Sequence, residues 1–177
     1  MKRPTDAELT SRQDDQHDQR GEAPRHAEAA AAAAFERFRI REVLEAIEIA
    51  IDRRDIDGFA GHFTADASYD GPFGRHGGRA AIAEMSRAHH AAGSMLGKRR
   101  MTGPAVVELV HAGRRARAYS HWWVAEAAAE PGVYSTGSYR DDLRLEEDGV
   151  WRIERRVQTI DPSWRGSPPP EPDDPTA

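Results

Sequence analysis

The chain changes its hydrophobic period once, and that change limits the fold more than any other feature. Up to about residue 90 apolar residues recur at helical spacing; from Ala105 onward they alternate. Ile40, Val43, Leu44, Ile47 and Ile51 fall at i, i+3, i+4, i+7 and i+11, with Arg41, Glu42, Glu45 and Glu48 between them. This pattern predicts an amphipathic helix with one stripe turned to a core. Beyond Asp52-Arg53-Arg54-Asp55, Ile56, Phe59 and Phe63 share a face of a second helical stretch, where Asp55 reads as a cap and Asp57 as a solvated acid. TADASYD and GPFG read as a short strand and a tight turn, and residues 79–90, with Ile82 and Met85, as a third helix. AVVELV, HAG and RRARAYSHWWVA form one predicted hairpin; VYSTGSYRDDLRL, EEDG and VWRIERRVQTI form another. Helices first and an antiparallel meander afterwards make an α+β layout. Helices laid on one face of a curved sheet would enclose a cavity.

The periodic part does not fill the chain. Residues 1–34 carry no aromatic residue, only Leu9 and Met1 as large aliphatics, and dense charge of both signs. Such a segment buries too little apolar area to offset its ordering entropy, so it reads as a disordered tail. The run Ala29–Ala34 is its exception and can start the first helix. Residues 165–177 hold five prolines and read as an extended tail. The domain is expected over 35–164, with no internal repeat.

Several function classes fall away on composition. Lys and Arg number 25 against 30 Asp and Glu, a net charge of −5, which argues against a polyanion-binding surface. With no cysteine there is no disulfide, thiolate metal site or cysteine nucleophile. No apolar run reaches the roughly 20 residues of a membrane helix, and the N-terminus lacks a secretory pattern, so a cytoplasmic location is expected.

Alternation sorts the candidate polar residues by face. Ala116, Ala118, Ser120, Trp122 and Val124 share one face of their strand; Arg115, Arg117, Tyr119, His121 and Trp123 share the other. A single bulge would turn His121 inward. One of Trp122 and Trp123 is expected to line the interior and the other a subunit contact. Tyr139 and Asp141 lie on the face of Gly137, Leu143 and Leu145, which reads as inward. Asp141 is then either a second buried acid of the site or the partner of an arginine. His89-His90, and His62 with His76, lack the two-His-plus-carboxylate spacing of a metal site, so no metal is expected. Ser120, Ser135 and Ser138 have no nucleophile-elbow context, and GPFGRHGG is a turn, not a phosphate loop.

The segment EVLEAIEIAIDRRDIDGFAGHFTADASYDGPFG, a helix, a strand pair and GSYRDDLRLEEDGVWRIERR together resemble a SnoaL-like domain of the nuclear transport factor two-like superfamily. The resemblance covers about residues 36–164. It implies a cone-shaped, barrel-like fold: a curved antiparallel sheet packed on about three N-terminal helices around a pocket. Enzymes of the group include polyketide cyclases, scytalone dehydratase, bile-acid dehydratases and ketosteroid isomerases, most of them working without cofactor by proton transfer next to a carbonyl. On this resemblance Asp52 matches the family's general base. The family's strand-start histidine is replaced by Arg99 or Arg100, which cannot exchange a proton near neutral pH. His121 is the candidate replacement imidazole. Tyr69, Arg99, Arg100, Trp123, Tyr139, Asp141 and Arg156 are candidate substrate contacts, Arg156 being preferred to Arg155 as the inward arginine.

Two functions are compatible with this reading. One is a cofactor-independent lyase, isomerase or cyclase acting on a hydrophobic, oxygenated small molecule of polyketide or steroid type. The other is a non-catalytic ligand-binding or assembly module with a degenerate site. Both predict a homodimer or homotrimer, because the open sheet face leaves edges and aromatics uncovered.

Overall fold

The computed structural model describes residues 6–94, 96–126 and 132–162, with residues 6–23 by backbone alone. Helix α1 runs from Asp6 to Asp52. The chain separates into two compact units, one ending at Phe38 and the other beginning at Arg39. The first unit is helical from Asp6, well before the alanine run in which the sequence places the helix start. Its alanines, glutamates, glutamines and arginines are strong helix formers, so backbone propensity favours a helix where burial does not. The Pro-rich tail at 165–177 lies outside the described residues.

The second unit holds the rest of the fold. Ile40, Leu44, Ile47 and Ala50 of α1 are buried, as the stripe requires. Asp55 then caps α2 (Ile56–Gly61) by accepting the Gly58 N–H at 2.8 Å. The elements β1 (Phe63–Gly71), β2 (Gly74–Gly77), α3 (Arg79–Ala91), β3 (Lys98–Val110), β4 (Arg115–Glu126), β5 (Gly132–Leu145) and β6 (Trp151–Ile160) follow. One six-stranded sheet results, in the order β2-β1-β6-β5-β4-β3. It is an α+β fold with a curved, unclosed sheet. Neighbours pair antiparallel except β1 with β6, which run parallel. Phe59, Phe63, Ala67, Ile82, Ala116, Ala118, Leu143, Trp151 and Ile153 pack with the α1 stripe into the main core. Trp122, Val124 and Tyr139 form a second, smaller cluster. Gly137 allows that cluster: a Cβ there would fall 2.0 Å from the Thr159 carbonyl oxygen and 2.5 Å from the Trp122 indole.

Bulges decide which charged residues face in. In β3 the pairing jumps from Thr102–Trp122 to Ala105–Ser120, so Gly103 and Pro104 together oppose His121. The phase of β3 flips there, and Arg100 and Thr102 turn inward while Arg99 points out. In β6, Ile153 pairs with Leu143 and Arg155 with Asp142, leaving Glu154 as the extra residue. Trp151 and Ile153 face in before it; Arg156 and Gln158 face in after it. Strict alternation from Ile153 would have buried Arg155.

Candidate active site

A narrow cavity with about 40 Å³ of enclosed space opens between the helices and the inner face of the sheet. Ile51 of α1, Phe59 of α2, Met85 of α3 and Phe73 of the β1–β2 turn give it apolar walls. The polar lining comes from His89 and His90 at the end of α3, Arg100 of β3, Tyr69 of β1, Tyr139 of β5, and Arg156 and Gln158 of β6. The sheet therefore supplies hydroxyls and guanidinium groups, and α3 supplies imidazoles.

Arg156 is paired with a buried acid. Its Nε and Nη2 donate to the two carboxylate oxygens of Asp141 at 2.7 and 2.9 Å, and both side chains are buried. Its guanidinium carbon lies 4.0 Å from the centre of the Tyr139 ring. The pair is a structural post of the cavity wall, the ion-pair alternative raised for Asp141. The Tyr69 hydroxyl donates to Gln158 Oε1. Burial pushes the phenols of Tyr69 and Tyr139 above their ordinary range, so both remain protonated donors.

His90 differs from all of these. Both of its ring nitrogens are buried and neither has a hydrogen-bond partner among the described residues. Loss of solvation lowers its pKa first, and the positive charges of Arg54, Arg100 and His89 lower it further, against the pull of Asp52. The imidazole is thus neutral at the cavity wall. Its neighbour His89 donates from Nδ1 to the Met85 carbonyl at 2.9 Å, and the Phe73 ring packs edge-on against it, with centroids 3.9 Å apart.

Asp52 lies at the end of α1, 18% exposed. Its oxygens accept the backbone N–H of Arg100 at 3.2 and 3.3 Å, and Arg99 Nε stands 4.0 Å away. It does not line the cavity; it stands close enough to His90 to act on its charge. Arg99 is exposed. His121, the expected pocket imidazole, is exposed on the outer face of β4 beside Tyr119, with ring centroids 5.3 Å apart. The bulge that could have turned it inward belongs to the partner strand β3, so β4 keeps strict alternation through His121. Trp123 is on that outer face too, and Trp122 is the buried one of the two.

The sequence reading missed Glu48. Grouped there with the polar residues of the helix, it is 3% exposed. Oε1 accepts from Thr102 Oγ1 at 3.3 Å, Oε2 has no hydrogen-bond partner among the described residues, and Arg100 Nε lies 4.0 Å away. Burial raises its pKa, with smaller opposing effects from Arg156, Arg100 and the hydroxyls of Tyr139 and Thr102. The signal was in the spacing: residue 48 follows Leu44 by four and precedes Ile51 by three, inside the apolar stripe. His90 had no comparable local signal. Among the described residues no three His, Cys, Asp or Glu gather as a metal site.

The chain belongs to the SnoaL-like domain family, which matches residues 33–157. No curated protein sequence matches it. Among solved structures, an NTF2-like protein with a cystatin-like fold from Novosphingobium aromaticivorans is 27% identical, covers 77% of this chain and 90% of that one, and superposes with a TM-score of 0.67. A protein of unknown function from Mycobacterium tuberculosis is 26% identical, covering 77% of this chain and 78% of that one, also at 0.67. A Novosphingobium aromaticivorans protein provisionally named a scytalone dehydratase shares the fold at 18% identity and a TM-score of 0.62, covering 73% of this chain and 86% of that one. No helix among the described residues is long and apolar enough to cross a membrane.

Proposed function

We propose that this chain is a cofactor-independent lyase, isomerase or cyclase that moves a proton next to a carbonyl of a hydrophobic, oxygenated small molecule of polyketide or steroid type. One observation carries the reading: a neutral imidazole, His90, stands at the wall of an apolar-sided cavity with neither nitrogen engaged. In this reading a ring nitrogen of His90 takes the proton from the carbon beside the carbonyl. The Tyr139 hydroxyl and the Arg100 guanidinium hold the oxygen on which negative charge gathers. The imidazolium returns the proton to a leaving hydroxyl, which departs as water, or to another carbon, which completes an isomerisation. Asp52 stabilises the imidazolium by its charge and holds the strand carrying Arg100 through the Arg100 N–H. It supports the base instead of being the base.

The test uses a nitrobenzisoxazole, whose ring opens when a base in an apolar site removes its one acidic C–H proton. The protein accelerates that opening over free imidazole, and His90→Gln loses about 10²-fold. Equal rates in the two proteins, or no acceleration, overturn the assignment.

The binder reading draws on a separate observation. Neither buried acid is offered to a substrate: Asp141 is taken by Arg156, and Glu48 does not line the cavity. A protein that binds the heterocycle without opening it supports that reading.

The outer face of β3 and β4, with Val106, Tyr119, His121 and Trp123, is proposed to meet a second copy of the chain in a homodimer or homotrimer. Sedimentation giving a monomer at micromolar concentration removes this part.

A further inference from the structure

The outer face of the sheet carries an ordered pattern of side chains. Strand pairing aligns Glu108 of β3, Arg117 of β4, Asp142 of β5 and Arg155 of β6 in one row. Charge alternates along that row: acidic, basic, acidic, basic. The side chains of Arg117, Asp142 and Arg155 are 67%, 38% and 61% exposed. Within the chain the two guanidinium groups stand 3.9 and 3.8 Å from the Asp142 oxygens, beyond hydrogen-bond distance. Loose, wet pairs of this kind contribute little to the fold. The next row along the strands holds Val106, Tyr119, Arg140 and Val157. Val106 is 73% exposed and Tyr119 40%, and Arg140 is exposed as well. The two rows line one shallow depression of the surface.

Each row is its own complement when reversed. When two such faces meet, a half-turn about an axis parallel to the strands, midway between β4 and β5, performs that reversal. Opposite Glu108 then stands the partner's Arg155, and opposite Arg117 the partner's Asp142. In the second row Val106 meets the partner's Val157, and the Tyr119 ring meets the partner's Arg140, a guanidinium against an aromatic face. An axis across the strands sets like on like along either row it passes through, and between the rows it lays Glu108 and Arg155 against valines. A three-fold ring joins two different patches and makes no use of a self-complementary one. The geometry points to an isologous homodimer in which two outer sheet faces pack with their strands aligned, Arg117–Asp142 and Tyr119–Arg140 each being made twice. This rests on the second-copy reading of the outer face. It deepens that reading by choosing dimer over trimer, extending the contact to β5 and β6, and naming the residues that meet. Aligned sheets pack about 10 Å apart, a gap that arginine and tyrosine side chains from both faces can fill.

Sedimentation equilibrium of the full chain is the test. The wild type is expected to be a dimer at micromolar concentration. Arg117→Glu and Asp142→Arg each set like charges together at two places, so each weakens the dimer by at least about 100-fold. Mixed in equal amounts, the two variants associate again, because the reversed charge of one meets the reversed charge of the other at both contacts. The chain that carries both substitutions dimerises for the same reason. A cooperative melt reports whether each variant is folded. Arg140→Met, which introduces no charge, weakens the dimer several-fold and decides the matter if the reversals unfold the chain. A monomeric wild type overturns this arrangement together with the second-copy reading of the outer face. A trimer, a dimer that folded Arg117→Glu or Arg140→Met leaves as tight as before, or a mixture of folded reversal variants that stays monomeric overturns the two-fold arrangement alone.

Discussion

Two polar groupings share one cavity wall and are built in opposite ways. Around Arg156 the charges are paired: Asp141 takes the guanidinium in a fork, and Tyr69 bonds to Gln158 nearby. Around His90 and Glu48, both imidazole nitrogens and one carboxylate oxygen are buried with no hydrogen-bond partner among the described residues. The first arrangement spends its charges on holding β5 to β6. The second leaves buried polar atoms unmatched, which costs stability. The contrast sets a paired framework against unmatched polar atoms, the feature on which the proposed chemistry rests.

The largest effect is expected where the saturated side is broken. Asp141→Ala leaves a buried guanidinium without its counter-ion and should cost about 3–5 kcal/mol in urea unfolding. The double variant Asp141→Ala with Arg156→Met should recover much of that loss, because it removes the stranded charge as well.

His90→Gln should give the reverse pattern: turnover of the nitrobenzisoxazole falls about 10²-fold, while stability at neutral pH changes by no more than about 0.5 kcal/mol. Its pH profile gives the sign. The folded pKa of His90 lies below its ordinary value of 6.5. As pH falls from 6.5 toward the folded value, the unfolded chain takes up a proton that the fold refuses, so stability declines over that window. The difference between wild type and His90→Gln in pH-dependent melts should show that decline in the wild type only.

Glu48→Gln sharpens the comparison from the other end of the unsaturated group. Its folded pKa is raised above 4.5. With rising pH the unfolded chain ionises first, and between 4.5 and the folded value the native protein loses stability relative to it. The glutamine variant has no such loss. Its stability advantage should therefore grow as pH climbs through that window and stay constant above it, as read by denaturant midpoints. The smallest effect belongs outside both groupings: His121→Ala, on the outer face, should change stability by within about 0.5 kcal/mol and leave elimination unaltered.

How much of this was legible depended on whether a residue's direction is set locally. The α1 stripe and the two faces of β4 follow from periodicity alone, and the structure keeps both; the choice between Trp122 and Trp123 was left open, and the structure turns Trp122 in and takes Trp123, a candidate substrate contact, to the outer face. Glu48 was legible by position, but its charge led it to be grouped with the solvent face. The choices between Arg99 and Arg100, and between Arg155 and Arg156, were not fixed by alternation. Each hangs on one bulge, at Gly103-Pro104 and at Glu154, and a bulge is a pairing event between strands distant in sequence. His90 was least accessible. Its surroundings arise only when α3 packs on α2, β1 and β2, and no short-range pattern encodes that packing.

The strand order has a consequence for how the molecule comes into being. The last strand of this sheet in chain order is wedged between the first and the fifth, so Phe63 waits for Ile153 as its neighbour. Until then β1–β2 is a lone hairpin and β3–β5 a ribbon with one wet flank, and neither closes the interior. Assembly of the sheet therefore waits for the segment through Ile160 and is governed by long-distance pairing, which makes it slow. A stop codon before Trp151 yields two unjoined fragments of a sheet; one placed after Ile160 leaves every strand in position.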